Sequence, residues 1–206
     1  MASVGVQVVT LAEVGVPESA DEDALEVFDT FEKNALAKAR YFARLTGAIV
    51  LADDSGLVVD ALNGRPGVHS KRWSGRSDLH GAALDTANNA FLQDALAEAA
   101  SRTSSMSRRA RYVCAAACAW HVSDTLPAAL HEAVARGETG GELLTVARGE
   151  GGFGYDPYFV SDDLGATFAE VAPDAKAGVS HRGRAFSALL QHEAVRALFL
   201  PVAREC

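Results

Sequence analysis

The chain has 206 residues, 49% hydrophobic and 22% charged, with 27 acidic against 19 basic side chains and a formal net charge of -8. That length buries a substantial core, and the acidity excludes phosphate-driven binding of bulk DNA or RNA, leaving a small phosphate ligand held by a local basic pocket or a metal ion. No apolar run approaches the ~18 residues of a membrane span. MASVGVQVVT carries no basic region followed by an apolar stretch, so no signal peptide is expected. Cys114, Cys118 and Cys206 are odd in number and too few for a disulfide framework, which makes the cytoplasm the expected compartment.

No repeat or low-complexity linker divides the chain, so one folding unit over 1–206 is expected. Val4 to Leu11 alternates and is Val-rich, the pattern of a strand. A solvated acidic loop follows from Pro17 to Glu26. Asp29 with Glu32 three residues on has capping-box form and opens a helix with Phe31, Ala35, Phe42 and Leu45 on one face, stopped at Gly47. Ala48 to Ala52 reads as a buried strand ending in Asp53-Asp54-Ser55-Gly56, before a second apolar run from Leu57 to Leu62. Asn63 to Gly75 is a basic, glycine-bearing loop, and Asp78 to Ala100 a long helix. Arg108 to Val122 is a buried strand in which Cys114 and Cys118 share a face as small apolar residues. Ala128 to Ala135 and Glu142 to Arg148 pair around a turn at Gly137–Gly141. After the glycine-dense GEGGFGYDPY (Gly149 to Tyr158), Thr167 and Glu170 cap a short turn, and Arg184 to Phe199 forms a last amphipathic helix. Helices and strands alternate only in part, so the expected class is α/β with a mixed sheet.

Three clusters carry candidate chemistry. Asp53 and Asp54 stand where a buried strand opens into a loop; two adjacent carboxylates there call for a cation or specific donors, and their oxygens suit Mg²⁺. The same pair also reads as a turn residue and a cap. In the glycine-rich loop, backbone N–H groups can approach a ligand closely, and Phe153 and Tyr155 offer a stacking face beside Asp156; a plain hairpin turn is the alternative. Lys176 and Ser180-His181-Arg182-Gly183 precede a helix whose free N–H groups and these cations together suit anionic oxygen, or form a solvated basic loop. The other five histidines have no metal-ligand spacing.

TFEKNALAKAR (Thr30–Arg40), LADDSGLVVDALNGRPGVHSKRWSG (Leu51–Gly75), GGFGYDPYF (Gly151–Phe159) and KAGVSHRGRA (Lys176–Ala185), in that order, closely resemble the Ham1 or ITPase family of nucleoside triphosphate pyrophosphatases. The resemblance runs from about residue 4 to the C-terminus. It implies a long mixed β-sheet flanked by helices, two lobes around a central cleft, a homodimer, and Mg²⁺-assisted hydrolysis of inosine and xanthosine triphosphates to the monophosphate and pyrophosphate. Carried over by motif, Asp54 looks like the proton acceptor and a Mg²⁺ ligand, Asp53 like its support, and Ser55 like a substrate contact. Glu26 is the nearest match to a further acidic metal ligand. Phe153, Gly154, Tyr155 and Asp156 resemble the base-recognition loop, and Lys176, His181 and Arg182 the substrate-binding cations and base contacts. Arg182 and backbone N–H groups of the loop are the expected donors to the 6-keto oxygen that hypoxanthine and xanthine carry and adenine lacks.

The family opens on a strand and a Thr/Ser-Gly-Asn-x-x-Lys loop that grips the triphosphate, and this chain has no such motif. Lys33 also stands where the family usually has an acidic residue before Asn34. The expectation is that Met1 is an internal position of a longer reading frame and that the chain as given is weakened in activity and stability. The competing reading is an impaired nucleotide-binding homologue without the triphosphate-gripping loop; a pyrimidine-directed relative of the Maf type fits less well, because Phe153–Asp156 and Ser180–Gly183 match the purine family.

Overall fold

Among the described residues four strands form one sheet in the order β1-β2-β3-β4: β1 (Val50–Val59), β2 (Arg109–Val122), β3 (Ala129–Leu143) and β4 (Phe159–Ser161). The computed structural model describes residues 7–17, 25–102, 106–122 and 129–199. Every pairing among them is antiparallel, where the sequence reading expects a mixed sheet; the α/β class with flanking helices stands. Helix α1 (Phe31–Thr46) packs on one face and α4 (His181–Gln191) with α5 (Glu193–Leu198) on the other. Helix α2 (Gly81–Ser101) closes the far end of the strands, and the short α3 (Pro173–Val179) leads into α4.

The layering follows from the period of two along β2. Ala115, Ala117 and Ala119 turn to α1, while Cys114, Ala116, Cys118 and Trp120 turn to α4 and α5. Small side chains on both faces let helices approach the sheet closely. Toward the start of β2, Ala110 and Tyr112 join a separate cluster with Leu57, Val59, Leu92, Leu96, Phe159 and Phe168. Each fully buried Leu or Phe there contributes roughly 1.5–3 kcal/mol. The long strands thus run through two packed regions, and Asp53 to Ser55, opposite Ala116 to Cys114, lie between them.

Several elements differ from the sequence reading for local reasons. The two apolar runs around Asp53–Gly56 join in one strand, Val50–Val59, and the second leaves it at a 3₁₀ turn over Asp60–Leu62. Gly56 does not break it: a Cβ there would stand 2.3 Å from the carbonyl oxygen of Gly67 and 2.5 Å from Ser70 Oγ, so the residue permits a close crossing. Gly137 and Gly141 likewise lie inside β3 and make no turn. A Cβ on Gly137 would meet backbone atoms of Ala185 and His181 at 2.3 Å, and one on Gly141 the carbonyl oxygen of Val160 at 2.3 Å. Helix α1 is capped by Thr30, whose Oγ1 accepts from the Lys33 amide at 3.3 Å. Asp29 instead receives Lys33 Nζ at 3.0 Å and Glu32 turns to Arg136, so no capping box forms. Phe31, Ala35 and Phe42 are buried as expected, but Leu45 is exposed. Helix α4 starts at His181, three residues early, because Ser180 caps it, and the extended backbone of His192 divides α4 from α5. Of the strand expected at Val4–Leu11, residues 4–6 lie outside the described residues, and 7–11 contain no strand.

Candidate active site

Asp54 sits in β1, 7% exposed, on the face covered by α1. Asn34 Nδ2 donates to its Oδ2 at 2.9 Å, and Lys38 Nζ stands 3.7 Å from its Oδ1. Asn34 and Lys38 are four apart, so one turn of α1 presents both to the strand. Asn34 also holds the incoming chain: its Oδ1 accepts from the Phe28 amide at 2.9 Å. That segment delivers Glu26, whose Oε1 accepts from Lys38 Nζ at 2.8 Å and whose backbone carbonyl accepts from Arg72 Nη2 at 2.9 Å.

The two carboxylates that share Lys38 are displaced in opposite directions. Burial, aided by Glu26 and Asp53, pushes the Asp54 carboxyl above its ordinary range against the pull of Asn34 and Lys38. Burial also acts upward on Glu26, but Lys38, Arg72 and Lys71 outweigh it and hold that group low. A pair pushed apart this way suits a proton acceptor beside a lasting anion. Their oxygens also form a hard donor set of the size Mg²⁺ takes from a protein while keeping waters and phosphate oxygens. Among the described residues no three His, Cys, Asp or Glu side chains converge as a metal cluster.

Asp53 does not join that pair. Neighbours on a strand point to opposite faces, and Asp53 lies with Ser55 on the α4 side. Arg182 Nε donates to Asp53 Oδ2 at 3.0 Å and Arg182 Nη2 to Ser55 Oγ at 3.2 Å. The acidic corner read from the sequence is therefore split across the sheet, one carboxylate to each side of β1, the outer strand among the described residues.

On the α4 side the other candidate residues gather. Asp156 is 2% exposed and accepts from Lys176 Nζ at 2.5 Å, from the Phe153 amide at 3.0 Å and from Tyr112 Oη at 3.3 Å. Lys176 Nζ lies 4.9 Å from the ring centroids of both Phe153 and Phe168. Phe153 itself is 65% exposed, an aromatic face open to a ligand, whereas Tyr155 is buried with its hydroxyl on the Ser70 carbonyl at 2.8 Å. Tyr155 is thus a strut, and Phe153 is the exposed ring of the loop. Of the donors expected to meet a 6-keto oxygen, the amides of Phe153 and Gly154 are engaged by Asp156 and Asp85, and Arg182 is engaged through Nε and Nη2 by Asp53 and Ser55.

His181 stacks on Tyr112 with ring centroids 4.7 Å apart and 10° between planes, and its Nδ1 is buried without a partner among the described residues. Burial, reinforced by Arg182 and Lys176, depresses its pKa to about 3. The imidazole is therefore neutral at physiological pH, a hydrogen-bonding group and not a cation. A folded value below the ~6.5 of an unfolded histidine means that the unfolded chain binds the extra proton first. His181 thus contributes stability above ~6.5 that is lost as pH falls toward about 3. Replacing it by phenylalanine, which keeps the stack, is expected to flatten the acid limb of the stability curve by up to about one proton, roughly 1.4 kcal/mol per pH unit. Urea unfolding of both proteins between pH 6 and 4 measures the difference (about two pH units of the linkage window); parallel curves would refute it.

Asn34, Lys38 and Tyr112 were not singled out by the sequence. The first two left a signal, a polar pair at helical spacing beside the apolar positions Phe31 and Ala35. Tyr112 left none, being one more aromatic in an apolar strand.

The family model described as the Ham1 family matches residues 1–192. The chain belongs to the Ham1 family. It is 44% identical over 186 residues to the dITP/XTP pyrophosphatase of Burkholderia pseudomallei, covering 90% of this chain and 81% of that protein. Against the dITP/XTP pyrophosphatase of Nocardia farcinica the identity is 48% over 186 residues, with the same coverage. The structure of a Ham1 protein from Coxiella burnetii superposes with a TM-score of 0.70 at 35% identity, covering 86% of this chain and 81% of that one. In this Ham1 chain no described helix is long and apolar enough to cross a membrane.

Proposed function

We propose that this chain is a nucleoside triphosphate pyrophosphatase that hydrolyses the deaminated purine nucleotides ITP, dITP and XTP to the monophosphate and pyrophosphate, removing them from the nucleotide pool. The observation that carries the reading is the division of labour across β1: Asp54, Glu26, Lys38 and Asn34 on one side, Arg182, Ser55, His181, Lys176 and Phe153 on the other. The names of the Burkholderia and Nocardia relatives support it. Phe153 stacks on the base, Arg182 donates to its 6-keto oxygen, and neutral His181 offers a further polar edge. Adenine would leave the Arg182 donor unpaired, which is where discrimination arises. Asp54 accepts a proton from the water that attacks phosphorus, the anhydride bond breaks, and pyrophosphate leaves with the electron pair. Lys38 and Asn34 hold the Asp54 carboxylate in place. Mg²⁺ held by Asp54 and Glu26 would supply charge neutralisation on the triphosphate.

The same reading takes residues 1–206 as one ITPase-like domain acting as a homodimer, which the family resemblance supports, in the cytoplasm, which the cysteine usage supports. The test is pyrophosphate release from dITP and dATP with Mg²⁺. Activity on dITP with little on dATP is expected. Binding of dIMP without pyrophosphate release would overturn the enzyme in favour of an impaired nucleotide-binding homologue.

A further inference from the structure

Helix α2 carries none of the motif residues, yet two of its side chains clasp the tip of the base-recognition loop. The Gly154 amide donates to Asp85 Oδ2 at 2.8 Å, and Asn89 Nδ2 donates to the Gly154 carbonyl at 2.8 Å. Asp85 and Asn89 are four apart, so one face of α2 meets both polar groups of a single residue. Gly154 is suited to the clasp: its φ is +60°, and no atom would crowd a Cβ there, so the demand is on conformation and not on space.

Asn89 is held at a cost to stability. It is 9% exposed and its Oδ1 is buried without a partner among the described residues. An unsatisfied buried acceptor costs about 1–3 kcal/mol, while the nitrogen of the same amide is bonded to the loop. What the amide does there is grip the loop. The residue before the clasp is Phe153, whose exposed ring lies over Lys176. Asp156 ties the loop from the other end through the Phe153 amide. Phe153 is thus held between two anchors, one of which belongs to α2.

We infer that Asp85 and Asn89 are positioning residues that set the height and tilt of the Phe153 ring, and with it the affinity for the base half of the nucleotide. The inference rests on the reading of Phe153–Asp156 as the base-recognition loop. Neither side chain needs to touch substrate; each acts through the backbone of Gly154.

The same helix supplies its own comparison. Asn88, also buried, accepts from the Ser74 amide at 2.8 Å and donates to the Lys71 carbonyl at 3.0 Å, so it holds a different loop. Asn88→Ala is expected to lower the melting temperature without changing the inhibition constant of dIMP. Asp85→Ala and Asn89→Asp, by contrast, are expected to raise both KM for dITP and the inhibition constant of dIMP about tenfold. Their kcat and their inhibition constant for pyrophosphate stay near the parent values. Asp85→Asn keeps an acceptor oxygen for the Gly154 amide and restores the parent values.

Calorimetric binding of dIMP is measured on the same proteins, so the inference is read even without turnover. Should the parent chain bind dIMP but not cleave dITP, the proposed reaction falls while a tenfold binding loss in Asp85→Ala still upholds the clasp. Parent-like dIMP affinity in both Asp85→Ala and Asn89→Asp overturns the clasp, whatever the activity. A parent chain that neither cleaves dITP nor binds dIMP overturns both.

Discussion

Asp54→Asn is expected to lower kcat for pyrophosphate release by about 10²- to 10⁴-fold, the usual worth of a positioned general base, and at the same time to raise the melting temperature at pH 7. The two effects share one cause. Burial lifts the Asp54 proton affinity in the folded chain, with Glu26 and Asp53 adding to it and Asn34 and Lys38 opposing. A raised folded value makes the protonated carboxyl the better-tolerated form. Its contribution is therefore favourable below the unfolded value of ~3.9 and is lost as pH rises through the folded one. At neutral pH the ionised group is a net cost. An asparagine amide has the same shape, can still accept from Asn34 through its oxygen, and leaves Lys38 paired with Glu26 at 2.8 Å. Calorimetric melting at pH 7 and steady-state pyrophosphate release check both halves. A lower melting temperature, or activity within about tenfold of the parent, would show that the carboxylate is structural.

Asp156→Ala is expected to do the reverse and unfold the loop that it organises. The carboxylate is 2% exposed and carries three bonds, from Lys176, the Phe153 amide and Tyr112. Removing it strands the Lys176 cation, whose side chain is 18% exposed, between two phenyl rings. Breaking a buried pair from one side costs about 3–5 kcal/mol, which for a chain of this size is a fall in melting temperature of roughly 6–20 °C. Lys176→Met added to Asp156→Ala removes the stranded charge. It should recover part of the stability and none of the activity, because the proposed function takes Lys176 as a substrate-binding group. Additive losses in that double-mutant cycle would mean that the two residues act independently.

Both predictions concern residues whose identity was legible from motif spacing and whose partners were not. Asp54, Asp156, Lys176, His181 and Arg182 stand in short segments whose order carries the family resemblance. α1, α2 and β2 were readable from apolar periodicity and helix stops, because those are properties of neighbouring residues. Gly56, Gly137 and Gly141 misled the reading for the opposite reason. Glycine in a sequence signals a turn, yet here each marks a place where another segment crosses within 2.3 Å of a would-be Cβ. Such a crossing is a relation between distant parts of the chain, invisible along it.

Which chemical groups the protein has, and roughly which elements bear them, could be read along the chain, since capping, periodicity and motif spacing act over a few residues. How those groups are shared out depends on the folded arrangement. Once β1 runs straight through Asp53–Gly56, alternation sends Asp54 to Asn34 and Lys38 and Asp53 to Arg182. It likewise gave Asp85 and Asn89 a task, by laying α2 against a loop 65 and 69 residues further along the chain. Contacts of that reach depend on packing and burial, which become defined when the sheet has closed against its helices.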